Sequence, residues 1–181
     1  MDRLTGVRAD RAMRHSSFVI ELRVLTPGDW AVWRELRLAA LAEAPDAFRS
    51  RLADWVGEGD RAERWRARLS LPGSFNVVAV LDGGPAGMAS GVPAGDGVAE
   101  LISLWVSPAA RGRGVGDQLI QAIERWARRE GMGTLRLAMV QGNANAAALY
   151  GRNGFAPTGE LGDPMPDGVP QNIMAKGLRR G

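Results

Sequence analysis

The sequence predicts a single α/β domain built on a central, mixed, mostly antiparallel sheet with helices on both faces. Three observations carry that prediction. Three β-rich runs succeed one another across residues 75–106 with only short turns between them, the pattern of an antiparallel meander. A strand–helix–strand succession comes next, over 98–140, and its helix is the most clearly amphipathic stretch of the chain. Such a crossover makes its two strands parallel. Finally, the 181 residues are 45% hydrophobic and 24% charged, which suits one core of real size and no second domain.

At the N-terminus, residues 1–17 have no periodicity and are expected to form a flexible arm, with the domain running over 18–178. Phe18 to Leu25 alternates and is expected as a strand, with Phe18, Ile20, Leu22 and Val24 on one face. Thr26-Pro27-Gly28-Asp29 supplies helix-start signals. The next helix buries Trp33, Leu36 and Ala40 and stops near Glu43, before Pro45. A second short helix is expected over Arg61 to Leu69, closed by Pro72-Gly73. Trp30, Trp33, Trp55 and Trp65 in this region read as core packing.

Phe75 to Leu81 is a strand, Asp82-Gly83-Gly84 a hairpin turn, and Ala86 to Val92 the return strand, weakened by Gly87 and Gly91. Val98 to Val106 is the fourth strand. Asp117 to Glu130 is the amphipathic helix, with Leu119, Ile123 and Trp126 on its apolar stripe and Gly131 as its stop. Leu135 to Val140 is a fifth strand, Asn143 to Asn153 the last helix, and Phe155 opens a sixth strand. A Gly/Pro-rich loop, Gly159 to Pro170, precedes a seventh strand, Asn172 to Lys176.

Composition removes several kinds of chemistry. There is no cysteine, so disulfides, thiolate metal sites and a Cys nucleophile are excluded. The one histidine, His15, lies in the N-terminal arm, where it makes a poor triad member, and no metal is expected. No apolar run approaches the ~18 residues of a membrane span. The first residues lack the apolar centre of a secretory signal, so a cytoplasmic protein with no membrane partner is expected. Of 23 basic residues only Lys176 is a lysine. The resulting pI of 10.4 invites nucleic acid, but charges of both signs alternate along the chain and form no long basic run. A solvated surface, with some arginine reserved for an anionic ligand, is the preferred reading.

Two stretches carry chemistry. The first is Arg111-Gly112-Arg113-Gly114-Val115-Gly116, directly after a strand and directly before a helix. Backbone N–H groups at a helix start lack intrahelical partners and lie at the positive end of its dipole, and glycines let a phosphate approach them. The run lacks the Gly-Lys-Ser/Thr of a Walker loop and the spacing of a dinucleotide fingerprint. The second stretch is Asn143-Ala144-Asn145-Ala146-Ala147-Ala148-Leu149-Tyr150, with Gly154-Phe155 just downstream. Asn143, Ala146 and Tyr150 fall at i, i+3 and i+7, on one helix face that a slim ligand could lie against.

Together these motifs resemble the GNAT superfamily of acetyl-CoA-dependent N-acetyltransferases. Arg111, Gly114 and Gly116 match its pyrophosphate loop, Q/R-x-x-G-x-G/A. Asn143, Ala146, Leu149, Tyr150, Gly154 and Phe155 match its N-x-x-A-x-x-L-Y…G-F segment. The likeness is strong over Val98 to Phe155 and looser upstream. It implies a seven-stranded sheet in which a bulge in strand four opens it from strand five, with acetyl-CoA as cosubstrate. Pantetheine would meet the exposed strand backbone at Leu104, Trp105 and Val106. The pyrophosphate would rest on the N–H groups of Arg113 to Gly116, with Arg111, Gly112 and Val115 completing the loop and adjacent arginines adding charge. Asn143 and Ala146 would hold pantetheine or orient their helix.

The resemblance also implies the reaction: direct acetyl transfer to a primary amine, with a strand-four N–H stabilising the oxyanion. Tyr150 matches the general acid, since a phenol near ~10 keeps its proton beside a thiol near ~8.5. Glu100, eleven residues before Arg111, stands where histone-type members place a glutamate base. Regular alternation would put it on one face with Val98, Ile102 and Leu104; the plain alternative is a cross-strand ion pair. Ser103 is a second candidate, for a water wire. The acceptor pocket is expected between residues 31–69, strand four and the loop before strand seven. The amine's identity stays open, as does a homodimer. A non-catalytic acyl-CoA-binding module is the competing function.

Overall fold

The structure is a computed structural model that describes residues 19–178, so the expected N-terminal arm and Phe18 lie outside the described residues. Seven strands and four α-helices form the domain. In chain order they are β1 (Ile20–Val24), α1 (Trp30–Glu43), α2 (Ala62–Leu69), β2 (Phe75–Leu81), β3 (Gly84–Pro93) and β4 (Val98–Val106). Then come α3 (Val115–Arg129), β5 (Thr134–Val140), α4 (Ala144–Arg152), β6 (Ala156–Gly162) and β7 (Gln171–Gly177). The sheet order is β1-β2-β3-β4-β5-β7-β6, antiparallel throughout except where β4 meets β5. That one parallel contact results from the α3 crossover, as expected.

Two cores form, one on each face of the sheet. The α3 face gathers Val77, Ala79, Ala89, Leu101 and the α3 stripe of Leu119, Ile123 and Trp126. Burying one side chain of this size is worth roughly 1.5–3 kcal/mol. The other face gathers Trp33, Leu36 and Ala40 of α1, Trp65 and Leu69 of α2, and Val78, Met88 and Trp105 of the sheet. Trp33 and Trp65 are fully buried, whereas Trp30 and Trp55 only pack partly against this core.

Several expectations are corrected. Val24 is exposed rather than inward, because β1 is an edge strand and the chain turns at Leu25, whose side chain is buried instead. The β3 glycines do not weaken that strand; they admit α3. A Cβ on Gly91 would lie 2.4 Å from Trp126 Cζ3. Residues 159–162 belong to β6, the outer strand beside β7, so the loop before β7 is shorter than its glycines suggested.

In β4 the regular alternation fails at the bulge that the resemblance implied. Opposite β3 the register passes from Ser90↔Ile102 to Met88↔Trp105, so β4 carries one extra residue. Ser103 takes it up in the left-handed region, at φ 56°. Such a bulge re-aims the side chains beyond it. Leu101 therefore packs on the α3 face and Trp105 on the α1/α2 face, although an even separation would put them together. The alternation that placed Glu100 and Leu104 on one face is broken, and Leu104 packs toward the α3 core. On its other edge β4 pairs with β5 only at Val98, Ala99 and Glu100. Beyond Glu100 the two strands part, which is the splay implied by the resemblance.

Candidate active site

The splay opens two cavities that meet. The larger, about 620 Å³, runs from β4 at Leu104, Trp105 and Val106, over the loop at Arg111, Gly112, Gly114, Val115 and Gly116, to the α4 face at Asn143, Ala146 and Tyr150. The smaller, about 290 Å³, lies on the α1/α2 side and is bounded by Glu100, Ser103, Arg37 and Arg68. Ala47, Phe48, Leu104 and Tyr150 line both. The two chambers join at the β4 bulge, with the only tyrosine of the chain on the shared wall.

The loop's shape derives from its glycines. Gly114 caps α3 at φ 82°, a conformation that costs other residues roughly 1–2 kcal/mol. Gly116 packs closely on α4: a Cβ there would sit 3.1 Å from Leu149 Cδ2. The start of α3 and the face of α4 thus form two walls of one groove. A clamp fixes them. Asp117 accepts two hydrogen bonds from Arg152, both 2.9 Å, and one of 2.7 Å from Asn153. These bonds, Arg152's first, hold the Asp117 carboxyl below its ordinary range. Asn143 caps α4 by accepting from the Ala146 N–H at 3.1 Å, so in this structure it orients its helix.

The two loop arginines each have protein partners. Arg111 Nη2 donates to Glu43 Oε2 at 2.7 Å and its Nε to the Val106 carbonyl at 3.2 Å. The same carboxylate oxygen accepts from Trp105 Nε1 at 2.9 Å. Glu43, its carboxyl held down by Arg111 and then by Trp105, ties the end of α1 to β4 and the loop. Arg113 is the one predicted loop residue that does not line the cavity. Its Nη1 lies 3.7 Å from Asp82 Oδ2 in the β2–β3 turn.

Tyr150 stands edge-on to Phe155, ring centroids 5.9 Å apart. Burial pushes its phenol up to about 12. Glu100 does line the smaller cavity, and the cross-strand pair also exists: its Oε2 lies 3.7 Å from Nη2 of Arg136, the neighbouring position on β5. That separation exceeds hydrogen-bond length, so the carboxylate keeps acceptor capacity toward the cavity. Ser103 Oγ accepts from Arg68 at 3.2 Å, as does Ser90 Oγ. Arg37, Arg68, Glu43 and Phe48 were not singled out from the sequence. Helical spacing could have found Arg37, which falls one residue after Leu36 on the buried side of α1.

Comparison with known proteins now decides the family. The sequence model of the acetyltransferase (GNAT) family matches residues 33–155, about two thirds of the chain. This chain is a GNAT acetyltransferase. Its α/β fold, its seven-stranded sheet and its single parallel β4–β5 contact belong to that family. The GCN5-related N-acetyltransferase from Kribbella flavida is 27% identical, with a TM-score of 0.68 over 88% of this chain and 98% of that one. YncA from Salmonella typhimurium, solved with acetyl-CoA, shares the GNAT fold at a TM-score of 0.69 and 24% identity, covering 90% of this chain and 96% of that one. In sequence, the "IAA acetyltransferase" of Azospirillum brasilense is 38% identical over 71 residues, 39% of this chain and 46% of that protein. An uncharacterized N-acetyltransferase of Bacillus subtilis, YobR, is 35% identical over 65 residues, 36% of this chain and 26% of that one. The match thus spans less than half the length of these sequence relatives. Among the described residues of this GNAT protein no helix is long and apolar enough to cross a membrane, and no group of three metal-ligating side chains assembles.

Proposed function

We infer that this protein transfers the acetyl group of acetyl-CoA to a primary amine by direct attack in a ternary complex. The observation that carries the reading is the meeting of the two cavities at Leu104 and Tyr150, where β4 leaves β5. The larger chamber fits CoA: a glycine-built helix start for the pyrophosphate, then a groove between α4 and the unpaired β4 edge for pantetheine. Acetyl-CoA supplies the acetyl group as a thioester. Backbone N–H groups of β4 near Leu104 to Val106 stabilise the negative charge that develops on the thioester oxygen.

Tyr150 faces the leaving sulfur. A phenol near 12 stays protonated at any working pH. Full proton transfer to a thiolate near ~8.5 is then uphill by about 5 kcal/mol. Tyr150 therefore acts mainly as a hydrogen-bond donor to the departing sulfur, and solvent completes the protonation. Glu100 accepts the proton that the ammonium must lose before attack, directly or through one water. Asn143 and Ala146 shape the α4 wall. Arg111 holds the loop in place through Glu43, and Gly112, Gly114 and Gly116 leave its N–H groups accessible.

The test is thiol release from acetyl-CoA across a panel of primary amines, with the acetylated amine identified by mass. Amine-dependent release supports the reading. Tight CoA binding with no release for any amine favours the non-catalytic module instead.

A further inference from the structure

The smaller cavity contains charge that the transfer reaction does not use. Arg37 leaves only 8% of its surface exposed, and its Nη1 is buried with no hydrogen-bond partner among the described residues. Its guanidinium stacks over the Phe48 ring, 4.7 Å from the centroid. Arg68, from α2, faces the same cavity and donates only to neutral oxygens: Asn76 Oδ1 at 3.3 Å, and Ser90 and Ser103 Oγ at 3.2 Å each. It lies over Trp33, 5.1 Å from the ring centroid. No carboxylate pairs with either arginine among the described residues. Glu100, the acid on the cavity wall, pairs with neither and lies 3.7 Å from Arg136, and Arg49 on the same wall is taken by Asp163 at 2.8 Å.

A buried cation without a counter-ion is costly, and natural proteins keep such groups paired. Burial, and then Arg68, push Arg37 down to about 10, and burial lowers Arg68 as well. Nothing in the described fold supplies the missing anion. Asn76, buried beneath Arg68, accepts from Ser90 and from Arg68, so the network is built to aim a guanidinium rather than to neutralise it. A planar guanidinium with free N–H groups binds carboxylate through paired, charge-assisted hydrogen bonds.

We propose that the acceptor is a small amino acid, its carboxylate held by Arg37 and Arg68 and its amine directed at the thioester between Glu100 and Tyr150. This rests on the acetyltransferase reading above. A cavity of about 290 Å³ lies at the small end of ligand pockets, ~300–1,000 Å³, and suits a free amino acid rather than a folded protein terminus. Arg37 and Arg68 act as specificity residues: they anchor one end of the acceptor and so fix where its nitrogen stands. The balance of the step is simple. With the ammonium's first proton already passed to Glu100, the neutral nitrogen bonds to the acetyl carbon, the C–S bond breaks, the electron pair leaves on sulfur, and the proton the nitrogen sheds as the amide forms passes through solvent to the departing thiolate. The product is an N-acetyl amino acid and CoA.

The test uses the wild-type protein with acetyl-CoA and sets of three acceptors: an α-amino acid, its carboxamide and its decarboxylated amine. The expected kcat/KM for the acid exceeds that of the other two by about 10- to 100-fold, the range for hydrogen bonds to a charged group. In R37Q, and separately in R37M, the acid-to-amide ratio falls toward one. Circular dichroism and CoA titration on each variant establish that fold and cofactor site persist. A wild-type protein that acetylates amides and simple amines as well as acids overturns this inference and leaves the transferase reading intact. The same holds if the carboxylate is preferred on the donor, with succinyl-CoA outrunning acetyl-CoA on neutral amines. Retention of the acid preference in R37Q overturns the role of Arg37. Turnover of no acceptor overturns both readings.

Discussion

Replacing Tyr150 by Phe removes one hydroxyl and little else. The ring keeps its edge contact with Phe155 at 5.9 Å. The hydroxyl has no hydrogen bond to another described residue, so Phe leaves no partner stranded. The folded protein should therefore keep its stability to within ~0.5 kcal/mol. What is lost is donation to the leaving sulfur. Hydrogen bonds to charged groups are worth about 1.5–3 kcal/mol. At 1.36 kcal/mol per factor of ten, that is a fall in kcat of about 10- to 100-fold. Because burial holds the phenol near 12, it does not titrate in the working range, and the deficit should be the same at every pH between ~6 and ~9. The assay is kcat by thiol release at saturating amine, beside the CoA dissociation constant by calorimetry. The reasoning is refuted by an unchanged kcat, by a deficit that vanishes within this pH range, or by a loss explained wholly by weaker CoA binding.

The geometry sets three further outcomes. Gly114→Ala forces a side chain into the left-handed cap at φ 82° with open space around it, so the fold should survive while CoA binding weakens about tenfold, read by calorimetry. Gly91→Ala drives a Cβ to 2.4 Å from Trp126, an overpacking that costs about 1–3 kcal/mol and lowers Tm by about 3–10 °C. Gly133→Ala, with nothing within 4 Å, should move Tm far less. Asp60 accepts from Arg34, twice, and from Trp65 Nε1 at 2.8 Å, which brings its carboxyl down to about 2. A depressed carboxyl stabilises the fold fully above its unfolded value of about 3.9, and that contribution is lost as pH falls toward 2. The Tm gap between wild type and D60N should therefore close over that window, and a constant gap contradicts the assignment.

The sequence made the sheet, the crossover and both motif segments legible because their signals are local. Alternation, turn glycines and the α3 stripe each act within a few residues. Val115 at the start of α3 and Glu43 at the end of α1 fall within two residues of where periodicity put those ends. The failures are all non-local. The resemblance implied a bulge in β4, but nothing in L-I-S-L-W-V places it at Ser103, which must reconcile pairing to β3 with departure from β5. Arg111 was legible as a loop residue, but its partner Glu43, 68 residues upstream, was not. Asp60 fastens α1 to α2 through Arg34, 26 residues upstream, and Trp65. Arg37 and Arg68 were hidden by abundance: in a chain with so many arginines, two more on helices look like surface. Only burial without a partner sets them apart.

A crystal structure with CoA bound tests the central claim most directly. The account predicts the pyrophosphate on the N–H groups of residues 112–116, pantetheine along the β4 edge past Glu100, and the thiol within hydrogen-bond distance of the Tyr150 hydroxyl where the two cavities meet. A thiol directed away from Tyr150, or a pyrophosphate held anywhere but the start of α3, would contradict it.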